Sequence, residues 1–294
     1  MERIYLDNCL TTKPDPQILN AMMPYLTKHF YYPSNFVSTG SAAKKAIDGF
    51  KDVIAGSLNA DKSEIHLTSG GTAANNIGIK GFIMANAERG NHIICSQIDY
   101  PDMLTNAAFF EESGFEVTYL SADKDGFIDL DELKSSITKN TILVMTTLAN
   151  HVLGTIQPIK QIKEIIGSNI ALFVDAGHAY GRMPIDVSDK DVDMLSFSAH
   201  KIHGPQGAGA LYVKKGIQLA QTKHGINRMD EFDTGGMSMA NLAGMAKAVE
   251  LQFNDLDKHI KHMRGLQTRL YEGLSSVLSP TYKGGVGGDQ NGFS

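Results

Sequence analysis

Cysteine is nearly absent from this chain: Cys9 and Cys95 are the only two in 294 residues. Two thiols build no disulfide framework, and a reducing cytoplasm is the expected setting. No apolar run is long enough to cross a bilayer, and Met1-Glu2-Arg3-Ile4-Tyr5-Leu6 lacks the apolar core of a signal peptide. Basic residues number 27 against 32 acidic ones, with no basic stripe; neither nucleic acid nor membrane is an expected partner. Recognisable metal spacings are missing too. His200 and His203, and separately His259 and His262, stand three apart, but no cysteine or carboxylate cluster accompanies either pair. Asp123-Lys124-Asp125-Gly126, followed by Asp129 and Asp131, has its glycine at the wrong offset for a calcium loop, so a turn ahead of a helix is expected there. No repeat of fixed period occurs.

Apolar patterning is what the chain does have. Short β-rich runs at Glu64–Thr68, His92–Ser96, Glu116–Leu120, Ile142–Thr147, Ala171–Ala176, Asp193–Ser198 and Gly209–Val213 read as strands. Helix-like segments at Ala73–Asn86, Asp102–Ser113, Leu130–Ser136 and Ile159–Ile166 alternate with the first five. The alternation predicts an α/β fold with a mainly parallel seven-stranded sheet flanked by helices. Ala240–Leu278 reads as one long amphipathic helical region, and Ser279-Pro280 and Gly284-Gly285-Val286-Gly287-Gly288 follow it. The expected organisation is an N-terminal segment over residues 1–15 near the active site, a large domain over 16–236, and the start of a C-terminal small domain over 237–294 that ends early.

Three segments carry chemistry. In Ser196-Phe197-Ser198-Ala199-His200-Lys201, followed by a loop with Gly204, Gly207 and Gly209, one lysine sits in a small-residue turn between two apolar runs. Such a loop lets backbone approach a bound group closely, and a lysine buried there can lose its proton and act as a nucleophile or Schiff-base partner. Phe173-Val174-Asp175-Ala176-Gly177-His178 ends a strand with a carboxylate, where open α/β sheets bind ligands. Thr68-Ser69-Gly70-Gly71-Thr72-Ala73-Ala74-Asn75-Asn76 is a strand, a glycine turn and a helix start, an anion seat without the lysine of a Walker motif. Taken singly, each has a plainer reading as a turn, a cap or a surface lysine. Together, a phosphate seat, a carboxylate and a buried amine are what pyridoxal 5'-phosphate requires.

With these segments in place, the chain resembles fold-type I pyridoxal-phosphate enzymes of the class V aminotransferase group, and among them most the cysteine desulfurases. The likeness runs through Tyr5–Thr12, Thr68–Asn76, Gly114–Leu120, Gly154–Ile159, Phe173–Gly181 and Ser196–Val213. The resemblance implies that Lys201 holds the cofactor and moves the substrate's Cα proton, and that Asp175 pairs with the ring nitrogen. It implies phosphate contacts from Gly71, Thr72, Ser198 and His200. Tyr100 falls where the family has a ring-stacking histidine, His178 where desulfurases have glutamine, and His151 where an asparagine faces cofactor and substrate. Ala73 replaces an acidic residue, and the family's arginine and threonine near Asp233-Thr234-Gly235-Gly236 are not matched.

The implied activity is conversion of a small amino acid, L-cysteine, to L-alanine with sulfur passed to an acceptor protein, as in iron–sulfur assembly, by a homodimer. A desulfurase needs a thiolate to take the sulfur, and the family's lies in the C-terminal part; this sequence has no cysteine after Cys95. Three explanations stand: a piece of a longer protein, an enzyme with other chemistry, or a desulfurase in which Cys9 substitutes. The competing functions are another reaction on the same cofactor (transamination, epimerisation or C–S elimination) and a non-catalytic scaffold.

Overall fold

The computed structural model describes residues 4–34, 36–225, 229–234 and 236–275. Two helices come first, α1 (Pro16–Thr27) and α2 (Ser38–Leu58). Neither is among the sequence-predicted elements, although both carry local signals. Asp15 accepts from the Gln17 N–H at 2.7 Å and Pro16 opens the helix, as helix starts favour; α2 ends on Asn59 in the left-handed region.

The strands are β1 (Ile65–Thr68), β2 (His92–Ser96), β3 (Glu116–Leu120), β4 (Thr141–Thr147), β5 (Ala171–Asp175), β6 (Met194–Ser198) and β7 (Gly209–Val213). They form a seven-stranded sheet in the order β1-β7-β6-β5-β4-β2-β3. Pairing is parallel from β3 through β6, and β7 runs antiparallel to β6 and β1. All but the edge strand β3 are buried throughout. Burial on both faces removes the polar alternation of a half-exposed strand, which is why the runs were legible as continuous apolar segments.

Helices α3 (Gly71–Asn86), α4 (Pro101–Glu112), α5 (Leu130–Ser136) and α6 (Ile159–Ile166) connect the strands. Two apolar layers result. Along β5, Leu172 and Val174 enter one layer and Phe173 the other, the period-two alternation of a pleated strand. α3 lies close on the sheet: a Cβ on Gly78 would come within 2.4 Å of Phe173 Cε2.

The region expected as one helix is two, α7 (Met239–Asn254) and α8 (Leu256–Ser275), with the break at Asp255. α7 buries Met239, Leu242, Met245 and Val249 in the core, whereas α8 buries no residue. Asp255 sits at φ −119°, ψ 23°, and aspartate readily leaves helical geometry for local hydrogen bonds. The glycine-rich stretch after Pro280 lies outside the described residues.

Asp123 folds as the turn anticipated for it, its Oδ1 accepting from the Asp125 and Phe127 N–H groups at 2.9 Å, and Asp129 Oδ1 caps α5. Among the described residues no group of three or more side chains forms a metal site, and no helix is long and apolar enough to cross a membrane.

A buried ion pair fixes the entry to β6. Lys163 Nζ on α6 lies 2.7 Å from Asp193 Oδ2, which also accepts from the Leu172 N–H at 2.8 Å; both side chains are buried. Removing one member strands the other charge away from water. The Asp193→Ala variant should therefore lose about 3–5 kcal/mol of unfolding free energy, measured by urea denaturation; a loss below about 1 kcal/mol would show that the pair is solvated.

Candidate active site

β6 ends at Ser198 and the chain tightens into a 3-10 turn, Ala199–Lys201. The Ala199 carbonyl accepts from the N–H groups of Ile202 and Gly204, and the Ala199 N–H donates to the Ala208 carbonyl. His203 is held at φ +64°, a conformation a non-glycine residue keeps only when its surroundings impose it. Those surroundings are the N-terminal segment: the His203 N–H donates to Thr12 Oγ1 at 2.7 Å, and the Asp15 N–H to the His203 carbonyl at 3.1 Å.

Lys201, 8% exposed, is turned into the protein. Its Nζ lies 2.6 Å from His178 Nε2 and 5.0 Å from the centre of the Tyr100 ring. Burial, assisted by the Arg182 charge and opposed by Asp175, lowers its pKa to about 8. The same burial, with Lys201 and Arg182 nearby, takes His178 down to about 3. His178 is therefore neutral near pH 7, and the proton between the two belongs to the amine.

Asp175 stands at the C-terminal end of β5, beside Ser196 on β6. Its carboxylate accepts from the Gly177 N–H at 2.7 Å and from Asn75 Nδ2 at 2.9 Å. Asn75 is oriented in turn by Ser196, whose Oγ donates to Asn75 Oδ1 at 2.5 Å. Burial raises the Asp175 pKa; the two donors and Lys201 pull it back down.

Tyr100, His151 and His178 form a ring cluster, with centroids 5.0 Å apart for Tyr100–His151, 5.3 Å for Tyr100–His178 and 5.7 Å for His151–His178. His151 Nδ1 is buried and has no hydrogen-bond partner. Buried polar atoms are almost always satisfied, so an orphan here is the mark of a site that takes a polar ligand.

The anion seat is the start of α3. Gly70, at φ +152°, precedes it; no side chain caps the helix, so the first N–H groups remain to receive an anion. Ser198 abuts Gly71: a Cβ added to that glycine would lie 3.5 Å from the Ser198 Cβ. Thr72 Oγ1 donates to Asp102 Oδ2 at 2.6 Å, which brings a carboxylate to the rim of the seat.

The arrangement brings Lys201, Asp175, His178, Tyr100 and His151 into one cluster, and Gly71, Thr72 and Ser198 into the seat. His200 instead engages Thr11 Oγ1 through Nδ1 at 3.1 Å. Sequence reasoning passed over four residues. Asn75 and Ser196 orient Asp175, and Asp102 meets Thr72. Arg182 donates to the carbonyls of His178, Asn8 and Lys201 at 3.1, 3.3 and 3.5 Å. Asn75 and Ser196 stand inside motifs already singled out; nothing in the sequence marks Arg182, which joins its near neighbour His178 to Asn8 and Lys201 from other segments. A buried amine, a carboxylate, an uncapped helix start and an orphaned imidazole nitrogen match the aldehyde, ring nitrogen, phosphate and polar ring substituent of pyridoxal phosphate, so the residues present fit that group.

Comparison with known proteins agrees. The family model for aminotransferase class-V matches residues 4–285. The cysteine desulfurase IscS of Clostridium botulinum is 39% identical over 278 residues, covering 94% of this chain and 70% of that protein. A solved structure titled NifS-like protein superposes with a TM-score of 0.91 at 30% identity, over 94% of this chain and 76% of the other. Another, SspA in complex with cysteine, does so with a TM-score of 0.80 at 33% identity, over 84% and 72%. From the match across nearly the whole sequence and the fit of the site, the chain belongs to the class-V aminotransferases, a family of pyridoxal-phosphate enzymes, and is similar within it to the cysteine desulfurases.

Proposed function

We propose that this protein is a cysteine desulfurase, taking L-cysteine to L-alanine and passing the sulfur onward to an acceptor protein. The observation that carries the reading is the buried Lys201 amine, poised near neutral pH beside Asp175 and a site that fits the cofactor. Bound pyridoxal phosphate supplies an electron sink for bonds broken at the substrate. In this reading Lys201 Nζ holds the cofactor aldehyde and moves the proton at the substrate Cα. Asp175 pairs with the ring nitrogen and is kept in place by Asn75 and Gly177. Gly71, Thr72 and Ser198 hold the phosphate. Tyr100 offers an aromatic face, His178 accepts a hydrogen bond near the amine, and His151 presents its free Nδ1. Relatives named cysteine desulfurase and a neighbour solved with cysteine support the substrate.

The 2.6 Å contact between Lys201 and His178 also supports a second reading, C–S elimination or epimerisation, because it sets a second proton-accepting group beside the first. Alanine as product favours the first reading; pyruvate or the D-amino acid favours the second.

A homodimer is part of the proposal. Leu6, Leu19, Met23, Leu26, Phe30 and Phe36, all from the first 36 residues, are more than half exposed, apolar surface that a second subunit could cover. Residues 237 onward are proposed as the start of a small domain, since α8 leaves Leu266, Leu270 and Leu274 exposed at four-residue spacing. Two unpaired thiols, Cys9 and Cys95, support a cytoplasmic setting.

The decisive test is the visible spectrum of the protein with pyridoxal phosphate, before and after L-cysteine, with Lys201→Ala alongside. A band that shifts with cysteine and is lost or altered in the variant is expected; no band would sink the reading. Protonation of Lys201 gives a second expectation. Below pH 8 Nζ carries a proton and cannot attack an aldehyde, and the free-amine fraction grows as pH rises. Cofactor capture should therefore accelerate by about tenfold per pH unit below the lysine's pKa and level off above it, followed by stopped-flow absorbance. Asp102→Asn tests the seat: removing a carboxylate beside a bound anion should tighten inorganic phosphate binding about fivefold, the ~1 kcal/mol two unit charges exchange at 4 Å in water, read by calorimetry.

A further inference from the structure

We propose that Asp99 is a positioning residue of the cofactor site: it clamps the ends of β2 and β4 together and, through Thr147, holds the Tyr100 ring over the Lys201 amine. The inference rests on the reading of Tyr100 as the aromatic face offered to the cofactor. Register pairs between β2 and β4 run from His92–Thr141 to Ile94–Val144. Beyond them Asp99 bridges the two strands. Its Oδ2 accepts from the N–H of Ser96, the last residue of β2, at 2.9 Å, and its Oδ1 from the N–H of Thr147, the last of β4, at 2.7 Å. The Thr146 hydroxyl donates to Oδ1 as well, at 3.3 Å. Thr147 is in turn the register partner of Asp175, so the clamp reaches the strand end that carries the site's carboxylate.

Tyr100 follows Asp99 directly, and its N–H donates to Thr147 Oγ1 at 3.1 Å. Pro101 opens α4 on its other side and confines Tyr100 to extended backbone, found at φ −60°, ψ 144°. The backbone is thus fixed from both directions. The ring it carries lies with its centre 5.0 Å from Lys201 Nζ and 5.3 Å from the His178 ring. Asn150 fastens the neighbouring turn to the same frame. Its Nδ2 donates to the Ile98 carbonyl at 2.8 Å, and its Oδ1 accepts from the Val152 and Leu153 N–H groups at 2.9 Å. The turn bearing His151 is thereby tied to the turn bearing Tyr100.

The clamp asks for a carboxylate in particular. Ser96, Thr146 and Thr147 present donors to both oxygens, and an ionised aspartate is acceptor-only. An amide would turn its NH2 against one of the two main-chain N–H groups. Asp99 is 4% exposed, and burial pushes its pKa up to about 6 against the pull of the Ser96 and Thr147 hydrogen bonds. A buried charge is costly; here its bonds serve the one turn that carries Tyr100.

The test uses the full chain with pyridoxal phosphate. Visible titration reads affinity, visible circular dichroism reads how the cofactor is set in the site, and urea denaturation reads the fold. Tyr100→Ala should weaken cofactor binding about fivefold, as loss of an aromatic contact does, and change the dichroism. Asp99→Asn should weaken it to the same degree and, added to Tyr100→Ala, by no more than about twofold further. Thr147→Val keeps the main-chain N–H for Asp99 and loses the acceptor for Tyr100, so it should behave as Asp99→Asn does. Thr147→Ser keeps the hydroxyl and should match the wild type; this pair decides the question where Asp99→Asn does not fold. Full additivity of Asp99→Asn on Tyr100→Ala would show a merely structural role and overturn the proposal. Wild-type affinity and dichroism in Asp99→Asn or Thr147→Val would overturn it too, and either result leaves Tyr100 its role. Wild-type behaviour of Tyr100→Ala would overturn the reading of Tyr100 together with the proposal.

Discussion

Taking the Lys201 ammonium out of water is the constraint on which the rest of this site depends. A buried amine with no partner is costly, and this one is accommodated by three devices at once. A neutral imidazole accepts its proton at 2.6 Å, a carboxylate at the end of the neighbouring strand lends opposite charge, and a low pKa keeps part of the population uncharged. Each device has its own support. His178 stays neutral because burial and two cations disfavour its charged form; at Asp175 the Gly177 N–H and the Asn75 amide oppose the burial that raises its pKa.

The parallel sheet makes that convergence possible. β5 and β6 end side by side, so Asp175 and Ser196 are register partners and the Lys201 turn begins three residues later, at Ala199. The Ser196–Asn75–Asp175 chain then ties the strand ends to the first turn of α3, and the anion seat inherits its position relative to the amine from the same contacts. Arg182 does for the loops what Asn75 does for the strands, with three carbonyls from three segments meeting one guanidinium. A planar, permanently charged fork suits that task in a way a lysine would not.

The site is marked by its rings and its acids. Tyr100, His151 and His178 crowd around the amine, and Asp102 brings negative charge to the seat. Burial disfavours the charged forms of His151 and His178, and the Asp102 carboxylate would oppose an anion seated at the start of α3.

How much was legible follows from range. β2, β3, β7, α5 and α6 were bounded in the sequence as they stand in the fold; for β2, β7 and α6 the reason is that fully buried strands and strongly amphipathic helices announce themselves by local apolar pattern. Lys201, Asp175 and the seat were legible because glycine turns and strand ends are local too. α1 and α2 were missed although both carry start or end signals, because they precede the strand–helix alternation, and the break at Asp255 was hidden inside a continuous helical signal. Arg182 and Asp102 could not be read at all: Asn8 and Lys201 lie 174 and 19 residues from Arg182 and Thr72 lies 30 from Asp102, and no local pattern encodes which distant carbonyl or hydroxyl a side chain will meet. The sequence alone determined the fold class, the lysine, the carboxylate and the anion seat; tertiary structure alone decided which groups surround them, because hydrogen bonds and charge coupling act over a few ångströms of space and are indifferent to distance along the chain.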